Sequence, residues 1–303
     1  LLNCFETDTG TYVSATDTGT DPLTADTDGD GISDGDEVLG TVAGLDLPGM
    51  GANPLKKTIL IEYDWLSDDT QEWFNTTSGQ NETSPHNHRP TANVMSAVAD
   101  VYASAPISNP DGSTGIQIIQ DYGQGGVFLG GNEIDDDDGN LAGYLESDFY
   151  SKKAENFDAL REGYFHYTIM AHKYGGGATE SSGLAELPGD DLVVSSNWWL
   201  KTERDVASTV VHELGHNLGL GHGGFESTNY KPNYNSVMNY IYQFPGVDTD
   251  CAGCRADCSE GEVFISGDGS IDYSRGGRND LQEESLTESF GVCSNVATDW
   301  NRN

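Results

Sequence analysis

The stretch His212-Glu213-Leu214-Gly215-His216-Asn217-Leu218-Gly219-Leu220-Gly221-His222 places three imidazoles and one carboxylate within eleven residues. On a helix, residues four apart share a face, so His212 and His216 can aim ring nitrogens at one ion while Glu213 stands beside the open coordination position. Gly219 lets the backbone leave the helix in a conformation that a Cβ resists, and that turn can return His222 as a third ligand. Three neutral histidines leave a tetrahedral zinc with one free position. A water there becomes a nucleophile near neutral pH, and Glu213 is placed to take its proton and pass it to a leaving amine. The flanks predict the helix: Val206, Val210 and Val211 recur at helical spacing, and Glu203-Arg204-Asp205 puts two acids in the first turn, where the helix dipole favours them. A buried helix whose histidines merely pack is the plainer alternative, and five fixed positions in eleven residues argue against it.

The pattern resembles the signature of the metzincin metalloproteases, HExxHxxGxxH followed by a methionine in a tight turn. Ser236-Val237-Met238-Asn239-Tyr240 matches that turn, with Met238 sixteen residues after His222. The resemblance implies that Met238 forms an apolar floor under the three ligands; an ordinary core methionine is the bland reading. It also implies that Tyr240 stands near the zinc, as in astacin-like and serralysin-like members. There the phenol would ligate the metal at rest or donate to the oxyanion, against the alternative of a packed tyrosine. The resemblance covers about residues 57 to 303, with its specific motifs between His212 and Tyr240. It implies an α+β fold: an upper subdomain of α/β type with a twisted mixed sheet and helices behind it, the zinc helix, and a loop-rich C-terminal subdomain.

A second signal lies near the amino terminus. Asp26-Thr27-Asp28-Gly29-Asp30-Gly31-Ile32-Ser33-Asp34-Gly35-Asp36-Glu37 reads as a calcium loop. Asp26, Asp28, Asp30 and Asp34 supply carboxylates at positions 1, 3, 5 and 9, Gly31 the sharp turn, Ile32 a carbonyl, and Glu37 a bidentate carboxylate at position 12. Without a cation these charges repel, so calcium is expected to order the segment; a solvated acidic linker is the alternative. With Asp8 to Gly10 and Asp17 to Pro22 as degenerate relatives, residues 7 to 37 resemble thrombospondin type 3 repeats. An EF-hand sensor needs a helix before the loop, and Thr20 to Ala25, containing Pro22, does not predict one.

Fifty acidic residues against fourteen basic, net charge −36, argue against binding nucleic acid or an anionic membrane surface. The same balance fits an acidic exoenzyme, or a protein solvated for salty water. No apolar run reaches the eighteen residues a membrane span needs, and the absence of an initiator methionine and signal peptide suggests a processed form of a longer precursor. Cys251, Cys254, Cys258 and Cys293 are expected to make two disulfides, consistent with secretion; Cys251 to Cys258 holding a second metal is the alternative. Cys4 is left over, as a disulfide partner of one of the others, an unpaired remnant, or a switch cysteine that occupies the zinc position of a latent precursor.

Residues 1 to 55 are expected to form the calcium segment with a Gly- and Pro-rich linker from Gly40 to Pro54, and residues 56 to 303 the catalytic domain. Strands are predicted at Thr58 to Trp65, Gly115 to Tyr122, Tyr164 to His172 and Asp191 to Ser196; if the last is the sheet edge lining the cleft, a substrate peptide can pair with it as an added strand. Helices are predicted over Ala92 to Ala103, with Val94, Met95, Val98, Val101 and Tyr102 as its buried face, within Asp148 to Arg161, and from near Asp280, with Leu281 and Leu286 packed. Asp135 to Asp138 reads as a solvated acidic loop, with a calcium-binding loop as the alternative; His86 and His88 read as surface histidines by default, with a substrate-facing role as the alternative, and His166 and His172 as structural. The whole implies a secreted, monomeric, calcium-stabilised zinc endopeptidase acting on proteins or peptides. A nonhydrolytic calcium-dependent adhesion module on the same scaffold is the competing class, and the intact ligand set and Glu213 disfavour it.

Overall fold

The computed structural model describes residues 1–68, 72–75, 80–83, 86–136, 138–176, 181–196, 202–249, 267–278, 280–281 and 285. Cys251, Cys254, Cys258, Cys293 and Leu286, and residues 197 to 201, lie outside them. Two compact units emerge, one of Leu1–Glu186 with Asp190–Ala207, the other of Leu187–Gly189 with Ser208–Asn303.

The elements run α1 (Asp34–Leu39), α2 (Leu47–Met50), β1 (Thr58–Asp68), β2 (Glu72–Asn75), β3 (Gln80–Thr83), β4 (His86–Asn87), α3 (Ala92–Ala103), β5 (Gln117–Asp121) and β6 (Glu133–Ile134). Then follow α4 (Ser147–Asn156), a 3-10 turn at Ala159–Arg161, β7 (Phe165–Ala171), β8 (Gly183–Ala185), β9 (Asp191–Ser195), α5 (Glu203–Asn217) and α6 (Tyr240–Gln243).

The first unit is built on a seven-stranded mixed sheet. Strand β1 pairs in parallel with β5, β6 and β7, and antiparallel with β4; β9 pairs in parallel with β7 and β8 antiparallel with β9. β1 is covered almost throughout its length, as expected of a strand flanked by parallel neighbours. Its apolar residues Leu60, Ile61, Tyr63 and Leu66 are buried, but so are Glu62, Asp64 and Asp68. Arg161 answers two buried acids at once, holding Glu62 Oε2 and Asp121 Oδ2 at 2.6 Å each. Helix α3 starts at Thr91, whose side chain accepts from the Val94 N–H, and buries all five residues that its spacing marks as apolar.

Two expectations change. The strand at Asp191 is not an edge: β9 lies between β7 and β8, and the edge is the three-residue β8. Residues 1–55 share a core with the sheet, since Ile32, Leu45, Leu47 and Met50 cluster with Leu60, Ile119 and Phe165. Among the described residues, no helix is long and apolar enough to cross a membrane.

Candidate metal centre

The second unit carries the His212 site. Helix α5, whose part from Ser208 on belongs to this unit, is preceded by Thr202, whose hydroxyl accepts from the Asp205 N–H at 3.1 Å. Val210, Val211 and Leu214 on this helix are fully buried, which fixes its rotation. The helix ends in a Schellman turn: Leu220 N–H reaches the Gly215 carbonyl at 2.9 Å and Gly219 N–H the His216 carbonyl at 2.8 Å. Gly219 adopts φ +91°, which a side chain would strain.

That turn orients the second histidine. The Leu220 carbonyl it presents accepts a hydrogen bond from His216 Nδ1 at 2.7 Å. The Val237 carbonyl accepts likewise from His212 Nδ1 at 2.8 Å. A carbonyl only accepts, so both Nδ1 atoms carry the hydrogen and both Nε2 atoms present lone pairs. Those Nε2 atoms face each other at 3.2 Å. Two bare lone pairs at that distance repel unless a cation lies between them, and 3.2 Å is close to the edge of a tetrahedron with ~2.0–2.1 Å zinc–nitrogen bonds.

His222 completes the group, with one ligand atom from each of the three histidines within 4.8 Å of the others. Burial holds His212 down at about 3 and also lowers His216 and His222, so the neutral, metal-binding imidazole is the standing form. Glu213 is buried beside them, and burial alone pushes its carboxyl up to about 8.

Met238 is fully buried, and a Cβ at Gly215 would collide with its sulfur and with the Tyr273 ring. The turn and the helix therefore approach closely because position 215 has no side chain. Tyr273, which the sequence did not single out, donates from its hydroxyl to the Val211 carbonyl at 2.6 Å. Asn239 secures the turn by accepting from the Ile241 N–H and donating to the Lys231 and Tyr234 carbonyls. Tyr240 lies with its ring 4.5 Å from that of His222 and 5.7 Å from that of His212, while 42% of it stays exposed.

The acidic loop belongs to the first unit. Gly31 turns at φ +99°, and Asp26, Asp28 and Asp30 each offer a carboxylate oxygen within 4.8 Å of the others. Glu37 is almost wholly buried, neither of its carboxylate oxygens has a hydrogen-bond partner, and burial with repulsion from Asp30 and Asp28 pushes it up to about 9. Ile32 is buried in the core beneath the loop. Asp34 is committed elsewhere, its two oxygens accepting from the Thr27 N–H and hydroxyl at 2.8 Å each. A helix, α1, follows the loop, but no helix precedes it. Cys4 is exposed and has no disulfide partner among the described residues.

His86 and His88 depart from expectation. They are not surface histidines: the His86 side chain is 7% exposed and His88 is buried. The His-x-His spacing was the available signal, since alternate residues of an extended segment share a face.

No family model and no curated protein matches this sequence. Among solved structures the chain is similar to archaemetzincin from Methanopyrus kandleri, at 14% identity over 61% of this chain and 81% of that one, with a TM-score of 0.31. At that score the likeness carries no weight beside the geometry above.

Proposed function

We propose that the chain is a secreted, calcium-stabilised zinc endopeptidase of the metzincin type. The observation that carries this reading is the pair of bare Nε2 atoms of His212 and His216 at 3.2 Å, joined by His222, with Glu213 buried alongside. His212, His216 and His222 fit zinc as three neutral nitrogen donors, each of the first two locked in its tautomer by a backbone carbonyl. Zinc bound there supplies Lewis acidity toward a peptide carbonyl and lowers the pKa of a water. Glu213 takes a proton from the attacking water on its carboxylate and returns it to the leaving amine. The Tyr240 hydroxyl donates to the oxyanion, its ring held against His222. Met238 serves as the floor of the site, packed against Gly215.

Calcium is the second cofactor of this reading, held by Asp26, Asp28, Asp30, the Ile32 carbonyl and both oxygens of Glu37. Support comes from the Glu37 carboxylate, buried among acids without a hydrogen-bond donor. Asp34, occupied by Thr27, serves through a water, as position 9 of such loops often does. The net charge of −36 and a calcium-dependent fold suit an extracellular setting, where calcium is abundant.

Cleavage of casein by wild type and Glu213→Ala, with chelator and zinc add-back at constant calcium, tests the function. Loss with the variant and with chelation, and recovery with zinc, are expected. A folded, zinc-loaded wild type that cleaves nothing would favour the nonhydrolytic adhesion module.

A further inference from the structure

Strand β1 ends at Asp68, whose register partner on the antiparallel β4 is His86. His88 follows at once, its backbone N–H bound to the Leu66 carbonyl at 3.2 Å. β7 runs parallel to β1 and ends one residue before His172. Three elements thus deliver one carboxylate and three imidazoles to a single spot. One ligand atom from each lies within 4.8 Å of all the others. His172 Nδ1 is 3.5 Å and His86 Nε2 4.0 Å from Asp68 Oδ2, and the three rings stand 4.8 to 6.0 Å apart, centre to centre.

The spot is dry. Asp68 is fully buried, His172 2% and His88 8% exposed. His88 Nε2 and His172 Nδ1 are buried and have no hydrogen-bond partner. A buried imidazole nitrogen left without a donor or acceptor is costly, and two of them in one cluster with a buried carboxylate call for a common partner. A proton shared between two groups would answer only one of the nitrogens. A cation at the centre answers all four ligands at once.

We propose that Asp68, His86, His88 and His172 form a second, structural zinc site. Three nitrogens and one carboxylate oxygen complete a tetrahedron and leave no position for water or substrate, which separates this site chemically from the three-histidine centre. Imidazole donors select zinc over calcium or magnesium, which take oxygen ligands. The ion clamps the carboxyl-terminal ends of β1 and β7 to β4, closing the chain between residues 68 and 86. It does so where the strand β4 itself contributes only two residues of pairing.

Metal analysis of the full chain tests this independently of catalysis. His212→Ala/His216→Ala, which empties the three-histidine centre, should retain one zinc per chain. Adding His88→Gln and Asp68→Asn should remove that zinc and lower the melting temperature. X-ray absorption on the retained zinc should show three imidazole nitrogens and one oxygen at about 2.0–2.1 Å. A folded His212→Ala/His216→Ala protein without zinc would overturn the proposal. So would zinc content unchanged by His88→Gln and Asp68→Asn, near-isosteric changes whose folding circular dichroism checks.

Discussion

The Nε2 atoms of His212 and His216 face each other at 3.2 Å, each bare because its ring's Nδ1 hydrogen is spent on a backbone carbonyl, Val237 in one case and Leu220 in the other. The helix alone brings the rings near each other. The carbonyls come from the turn that Asn239 N–H closes on the Ser236 carbonyl and from the helix's own terminus, and they decide which nitrogens are available. Zinc affinity therefore depends on both segments, and Gly219→Ala, which strains the φ +91° turn presenting Leu220, should weaken zinc binding ~10-fold or more while leaving Glu213 in place. Competition with a chromogenic chelator measures this; unchanged affinity would mean the turn does not set the tautomer.

Glu213→Gln removes the proton acceptor and keeps nearly the same shape. The variant should bind zinc at full stoichiometry, melt close to wild type, and lose at least ~10² in kcat/KM. Wild-type turnover from it would end the general-base assignment.

Tyr240→Phe separates ring packing from hydroxyl chemistry, since the ring contact with His222 survives the change. Loss of one oxyanion donor should lower kcat ~10²-fold with KM little altered. Equal kcat values would leave Tyr240 as a packing residue.

Much of this site was legible because His212, Glu213 and His216 repeat at helical spacing and Gly219 marks the turn that returns His222; the buried face of α3, in the first unit, was legible by the same spacing. The carbonyls of Val237 and Leu220 were not, because a backbone oxygen has no residue-type signature. The burial of His86 and His88 was hidden for a different reason. It arises from pairing with Leu66 and Asp68, a non-local event, while the neighbouring Pro and Asn residues read locally as surface loop. The edge strand was misplaced because Gly183–Ala185 is too short to show alternation.

The loop around Glu37 should make stability depend on calcium. At calcium a hundredfold above its dissociation constant, mass action adds about 2.7 kcal/mol, several degrees in melting temperature. Glu37→Gln should abolish most of that increment. A melting temperature indifferent to calcium in the wild type would overturn the calcium assignment.

Stability should also fall as pH rises, through Glu62. Its carboxyl is pushed from an ordinary 4.5 up to about 8, chiefly by burial and partly by Asp64 and Asp121, against the pull of Arg161. One guanidinium faces two buried carboxylates, so it cannot fully compensate both charges. Asp64 is raised to about 6, again by burial first. Between the unfolded and folded values the native chain binds more protons than the unfolded one, so stability declines with pH there. The contribution of Glu62 is fully present below about 4.5 and is lost as pH climbs to about 8. Thermal melts from pH 5 to 8.5 in saturating calcium and zinc, which keep the Glu37 loop and the His212 centre with Glu213 out of the titration, should show a falling melting temperature. Glu62→Gln, which carries its hydrogen at every pH, should flatten that slope and leave the smaller part due to Asp64 and to Asp191, which burial likewise raises to about 6. An equally steep slope in the variant would place the retained proton elsewhere.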